Sequence, residues 1–205
     1  MSAYALILSS KQDGGLRLAR PKSEDKRKAI LDAAFRLFAE RGVGNAPTSA
    51  ISAAAGVAEG SLFTYFGTKT ELMNELYLEM RRGFDREMLD FPVKADARTR
   101  LRYIWDKFLD LGLEQPERLT VLRQIRASGK LLKDNEKAGA MVLETLAAVR
   151  EAAMQGDFHS APLEFLVLQL RAQAEATIEF ILAHPEQHHA CRELAFDLLW
   201  RGITG

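Results

Sequence analysis

Thr48-Ser-Ala-Ile-Ser-Ala-Ala-Ala-Gly-Val-Ala-Glu-Gly-Ser-Leu-Phe-Thr-Tyr-Phe66 is the stretch that decides the fold. Ile51, Ser52 and Ala55 are small or aliphatic, and Gly56 follows where a positive φ costs little, so a short helix is predicted over 49–55 with a tight turn after it. Thr48 is expected to cap that helix, its hydroxyl accepting from the orphan N–H groups of the first turn. A second short helix is predicted over Glu59–Tyr65, with Leu62 and Phe66 turned inward beside Val57. Its outward face reads Glu59, Gly60, Ser61, Thr64 and Tyr65, short polar and aromatic groups suited to phosphates and base edges. Helix, glycine turn, helix is a geometry that DNA-binding proteins use.

The pattern extends in both directions. Upstream, Ile30, Ala34, Leu37 and Phe38 form the stripe of an amphipathic helix that begins near Ser23 and stops at Gly42. Downstream, Thr68-Lys-Thr-Glu71 reads as a capping box opening a long helix from Lys69 to about Leu89, ended by Pro92. Further helical blocks are predicted at 95–114, 116–128, 133–154, 161–183 and 186–201, and no strand-like alternation is present. The chain is therefore expected to be all-α. Residues 1–22 form a basic arm with Lys11, Arg17, Arg20 and Lys22, residues 23–68 a three-helix helix-turn-helix domain, and residues 69–205 a larger helical domain.

Lys28-Ala-Ile-Leu-Asp-Ala-Ala-Phe-Arg-Leu-Phe-Ala-Glu-Arg-Gly42, Thr48, Ile51, Ala54-Ala-Gly-Val57, Gly60-Ser-Leu-Phe-Thr-Tyr-Phe66 and Lys69 together resemble the TetR family of bacterial transcription regulators. That resemblance implies a homodimer whose N-terminal domain binds a double-stranded DNA operator and whose C-terminal domain dimerises and binds a small-molecule effector. It also implies that Thr48, with Ser49 beside it, and Lys69 contact phosphate, and that Gly60, Ser61, Thr64 and Tyr65 face the major groove. Ala58 and Glu59 depart from the family pattern, which commonly has Ser followed by Lys or another polar residue. Glu59 is left either to accept from a cytosine amine or to complement its own helix start.

Composition narrows the alternatives. With 47% hydrophobic and 27% charged residues in 205, the chain can bury a core and does not read as disordered. Cys191 is the single cysteine, so no internal disulfide forms and a cytoplasmic location is expected; the apolar start of the chain lacks the basic flank and cleavage site of a secretion signal. No apolar run approaches membrane-spanning length, so no membrane partner is expected. Residues 1–70 carry ten Lys and Arg against six Asp and Glu, which leaves the remainder acidic and points to different partners for the two portions. The chain has no phosphate-cradling glycine loop, nucleophile elbow or histidine-framed acid pair, so neither an enzyme nor a cofactor is expected. Pro185 interrupts His184, His188 and His189, which are therefore read as exposed residues rather than metal ligands.

For the C-terminal domain, the apolar row Leu166, Leu170, Ala174, Ile178 and Ile181, with Leu194, Leu198 and Trp200, is expected to pack against its copy as a four-helix bundle. The effector site is expected among Trp105, Phe108, Leu122, Ile125, Met141 and Met154, where Arg123, Gln124 or Arg126 could orient a carboxylate if one points inward. Glu175 and Glu179 read as a solvated or interfacial stripe. The resulting function is a transcription regulator, a repressor released from a near-palindromic operator by a small hydrophobic or amphipathic effector. The alternative is a helical protein-interaction module without specific DNA binding.

Overall fold

The computed structural model describes residues 22–88, 90–132, 135, 140–152 and 161–204, and those residues are all helix or connection. The sequence-predicted arm therefore lies outside the described residues, apart from Lys22. That residue opens α1 (Lys22–Arg41), which is followed by α2 (Thr48–Ala54), α3 (Glu59–Tyr65) and α4 (Lys69–Glu87). The larger part holds α5 (Ala97–Glu114), α6 (Pro116–Ala127), α7 (Ala140–Ala152), α8 (Leu163–Ala183) and α9 (His188–Thr204), with a 3₁₀ turn at Pro185–Gln187 before α9.

The turn between α2 and α3 follows from Gly56. Its φ of 67° lets the Gly56 N–H reach the Ala53 carbonyl at 3.2 Å and the Val57 N–H reach the Ser52 carbonyl at 3.0 Å. These are the two bonds of a Schellman stop, which places Val57 to start the turn back toward α3. The cap of α2 differs from expectation. Pro47 occupies the cap with ψ 151°, so Thr48 is already the first helical residue and its hydroxyl is used elsewhere. At the start of α4, Thr68 Oγ1 accepts from the Glu71 N–H at 3.1 Å, the capping-box bond that the sequence predicts.

Two cores organise the chain. The first joins Ile30, Ala34 and Phe38 of α1 to Ile51, Leu62 and Phe66, and to Leu72 and Leu76 of α4. It also takes in Val121 and Ile125, so α6 is built into the base of the helix-turn-helix unit. The second joins α5, through Leu101, Trp105 and Leu109, to Leu146 and Val149 of α7, and to α8 and α9. Gly112 brings α5 against α8 so closely that an added Cβ would run into Ile178.

One expectation is overturned. Leu166, Leu170, Ala174 and Ile178 are buried inside this chain in the core shared with α5, α7 and α9, and Ile181 is buried too, so this row is not the face presented to a second copy. The apolar residues left exposed on the same helices are Phe165, Leu168, Phe180 and Leu182 of α8, with Leu194 and Leu198 of α9. Trp200 is half-buried and packs against the second core, with the Arg98 guanidinium 5.7 Å from its ring. Charge pairing fixes α9 to α5. Arg192 bridges Asp106 at 2.8 Å and Asp110 at 2.7 Å, while Arg102 joins Asp106 at 2.8 Å and also pairs with Glu193.

Candidate nucleic-acid interface and effector cavity

On α3, successive side chains turn by about 100°, so Leu62 and Phe66 share one line and are buried at 0% and 2% exposure. Away from that line Glu59, Gly60, Phe63 and Thr64 are exposed, while Ser61 and Tyr65 are half-buried. Tyr65 packs against the first core instead of standing clear of it, and its ring centroid lies 6.4 Å from that of Phe66. Phe63 is the residue that sequence reasoning missed. It is 43% exposed beside Thr64, and an aromatic ring on that face offers apolar contact to a thymine methyl. Its type suggests a core residue, and only position 63, about 80° round from the buried line, points the other way.

The two short helices are joined at their starts. Thr48 Oγ1 donates to Glu59 Oε1 at 3.2 Å, so the carboxylate that departs from the family pattern is occupied by a neighbouring hydroxyl. Ser49 is exposed beside it. Lys69 is half-buried, its Nζ 3.5 Å from the Gly44 carbonyl and 5.9 Å from the Phe38 ring centroid. Burial, and then the neighbouring charge of Lys130, lower its pKa below the ordinary lysine value. Arg27 ties α1 to α4 by a 2.5 Å bond to Glu75 and lies over the Phe66 ring at 5.6 Å. The basic end of α1 thereby meets the end of α3, and Lys26 stands exposed there.

A cavity of about 140 Å³ opens between the two cores. Trp105, Phe108 and Leu122 line it, as does Arg126, the member of the Arg123, Gln124 and Arg126 group that faces inward. Ile125 instead packs in the first core, Arg123 reaches Glu179 at 3.6 Å, and Gln124 turns to the α1–α2 loop. Nothing is described of the Met141 side chain, and Met154 lies outside the described residues. Sequence reasoning missed the wall given by α4, namely Tyr77, Met80, Arg81 and Phe84, and the wall given by α8 through Val167, Leu170, Arg171 and Ala174. Glu175 is not solvated: it pairs with Arg126, their side chains only 16% and 18% exposed.

The polar connection from this cavity to the start of α4 is continuous. Arg81 donates to the Asn135 carbonyl at 2.8 Å, and the Asn135 amide donates to Asn74 Oδ1 at 3.0 Å. Asn74 is 4% exposed and satisfied on every side, also accepting from the Leu132 N–H and donating to the Thr70 and Lys130 carbonyls. Elsewhere, the His184 ring lies 4.5 Å from that of Phe180, tilted by 38°, and no cluster of three metal-ligating side chains occurs among the described residues. None of the described helices is long and apolar enough to cross a membrane.

Residues 30–76 match the model of the bacterial regulatory proteins of the tetR family. The chain is 30% identical over 113 residues to the fatty acid metabolism regulator protein of Bacillus subtilis, covering 55% of this chain and 58% of that protein. It is 34% identical over 111 residues to the HTH-type transcriptional regulator AcrR of Shigella flexneri, covering 53% and 51%. The chain thus spans about half the length of the curated relatives it matches. Among solved structures, a tetR family transcription regulator from Shewanella sp. PV-4 superposes with a TM-score of 0.76 at 22% identity, covering 86% of this chain and 97% of that one. Another from Marinobacter aquaeolei VT8 gives 0.70 at 24%, covering 87% and 95%. Residues 30–76 are thus the helix-turn-helix segment of the tetR family of bacterial regulatory proteins, and the chain shares its helical architecture with these solved structures.

Proposed function

We propose that this protein is a cytoplasmic, homodimeric transcription regulator that represses from a near-palindromic DNA operator and leaves it when a small effector enters the cavity. The observation that carries the reading is the sharing of α4: it begins at Lys69, four positions after the end of α3, and packs in the core that holds Leu62 and Phe66, while its Tyr77, Met80, Arg81 and Phe84 wall the cavity. A ligand that prefers one position of α4 over another shifts the population of DNA-binding geometries.

In this reading Gly60, Phe63 and Thr64 enter the major groove, with Ser61 and Tyr65 at its edges. Thr48, Ser49 and Lys69 hold phosphates, contacts that set register before sequence is read. Glu59 keeps Thr48 in place. Dimerisation uses the exposed apolar residues Leu168, Leu194 and Leu198 of α8 and α9. Two copies then present their recognition helices about 34 to 36 Å apart, one turn of B-DNA.

Binding of the purified protein to fragmented DNA of its own genome, at two salt concentrations and with recovered fragments sequenced, tests this directly. A few near-palindromic sites that survive the higher salt are expected. Recovery without a shared site would favour a helical protein-interaction module instead. A Tyr65→Ala, Lys69→Ala double variant should lose the operator and remain dimeric.

A further inference from the structure

We propose that the effector is an anionic amphipath: one carboxylate on a small apolar body. This rests on the cavity being the effector site and adds what the site recognises. The polar side chains in its described wall are Arg81, Arg126, Arg171, the Trp105 indole and the Tyr77 hydroxyl. Arginine and indole nitrogens can only donate, and of these five groups only the phenol can also accept. Neither a carboxylate nor a carboxamide side chain lines the cavity among the described residues. Trp105 is fully buried, and its Nε1 has no hydrogen-bond partner among those residues.

A wall of donors selects a ligand made of acceptors. A cationic ligand would meet the guanidinium groups of Arg81 and Arg171, and that of Arg126 already paired with Glu175, in surroundings that screen charge poorly. A neutral alcohol supplies one weak acceptor. A carboxylate supplies two oxygens that match the planar fork of a guanidinium, and such charge-assisted bonds are about twice as strong as neutral ones. Glu175 already shows that Arg126 takes a carboxylate in this half-buried setting. The remaining wall, including Ile104, Phe108, Val167 and Leu170, is apolar and receives the body. A volume of about 140 Å³ is close to that of an engineered cavity that holds benzene, so the enclosed part of the body is small.

Arg81 gives this recognition an outlet. The guanidinium that meets the ligand also donates to the Asn135 carbonyl, and Asn135 is held by Asn74 on α4. A ligand carboxylate competes for the same donor.

The test is calorimetric titration of the purified protein with 3-phenylpropanoate and octanoate, each beside its alcohol and its ammonium analogue. The carboxylates should bind tightest. Arg171→Gln, and separately Arg126→Gln combined with Glu175→Gln so that no buried charge is stranded, should each weaken carboxylate binding roughly tenfold to a hundredfold. Alcohol binding should be preserved, and each variant should still show a cooperative thermal unfolding transition. An alcohol or ammonium analogue that binds as tightly as its carboxylate overturns the proposal. Binding by none of the six, or unchanged carboxylate affinity in both folded variants, does the same. Operator binding measured on the same samples separates the two readings: arginine-dependent carboxylate binding that never moves the operator removes the effector role and keeps the ligand class, whereas operator control with no carboxylate preference keeps regulation and removes the ligand class.

Discussion

The side-chain oxygen of Gln124 accepts a hydrogen bond from the backbone N–H of Val43 at 3.1 Å, joining helix α6 to the loop between α1 and α2. On the same helix Leu122 and Arg126 face the cavity. One short helix thus has the cavity on one side and the helix-turn-helix unit on the other. Val43 is 7% exposed, so removing the acceptor leaves a buried N–H without its partner. Gln124→Ala is expected to cost about 1 to 2 kcal/mol in chemical denaturation. It should also weaken the coupling between effector and operator, read as a smaller change in operator affinity on adding ligand. Unaltered stability would show that water satisfies the Val43 N–H.

Phe63 is the second test. Because it is exposed, Phe63→Ala should leave the unfolding transition within about 0.5 kcal/mol of the parent. Operator affinity, followed by fluorescence anisotropy, should fall by about 1 to 3 kcal/mol if the ring contacts a base. Leu62→Ala on the neighbouring position, fully buried, should instead cost about 2 to 5 kcal/mol of stability.

The proposed dimer face yields a contrast between exposed leucines of α9 and a buried leucine of α8. Leu194→Glu with Leu198→Glu, both positions being about 60% exposed in one chain, should convert the dimer to a folded monomer in sedimentation velocity. Leu170→Glu should unfold the chain, because it places a charge inside the second core. A dimer that survives the α9 double variant would place the interface elsewhere.

Acid stability follows from the pairs that hold α9 to α5. Hydrogen bonds from Arg102 keep the Glu193 carboxyl below its ordinary pKa, against a smaller opposing effect of burial. Its folded value is therefore below its unfolded one. The stabilisation is complete above the ordinary carboxylate range and is lost as pH falls through the depressed folded value. Urea unfolding between pH 6 and pH 3 should show stability declining with acid, and Glu193→Gln should flatten that decline. Parallel curves for the two proteins would exclude a contribution from this pair.

Much of the architecture is written locally. Gly56 with small residues before it, Thr68 three positions ahead of Glu71, and Pro116 at the start of α6 each act within a few residues, so α3, α4 and α6 begin where periodicity and capping put them. Thr48 does not take the cap position expected of it because Pro47, with φ −72° and ψ 151°, stands one place earlier and occupies it.

Sidedness between neighbouring elements is another matter. Phe63 and Tyr65 lie about equally far round α3 from the Leu62–Phe66 line, and nothing in the helical period distinguishes them. The packing of the first core does so by covering Tyr65 and leaving Phe63 out. The same holds for α8, where Leu166 and Leu168 are equally apolar, and only the placement of α5, α7 and α9 turns one inward and the other to solvent. The cavity is the furthest from local control, drawing its wall from α4, α5, α6, α7 and α8. The sequence by itself thus determined the helices, their order, and the helix-turn-helix unit, because propensity, capping and period are short-range effects. Only the tertiary structure decided which faces meet and which arginine turns inward, because burial is set by neighbours that arrive from distant parts of the chain.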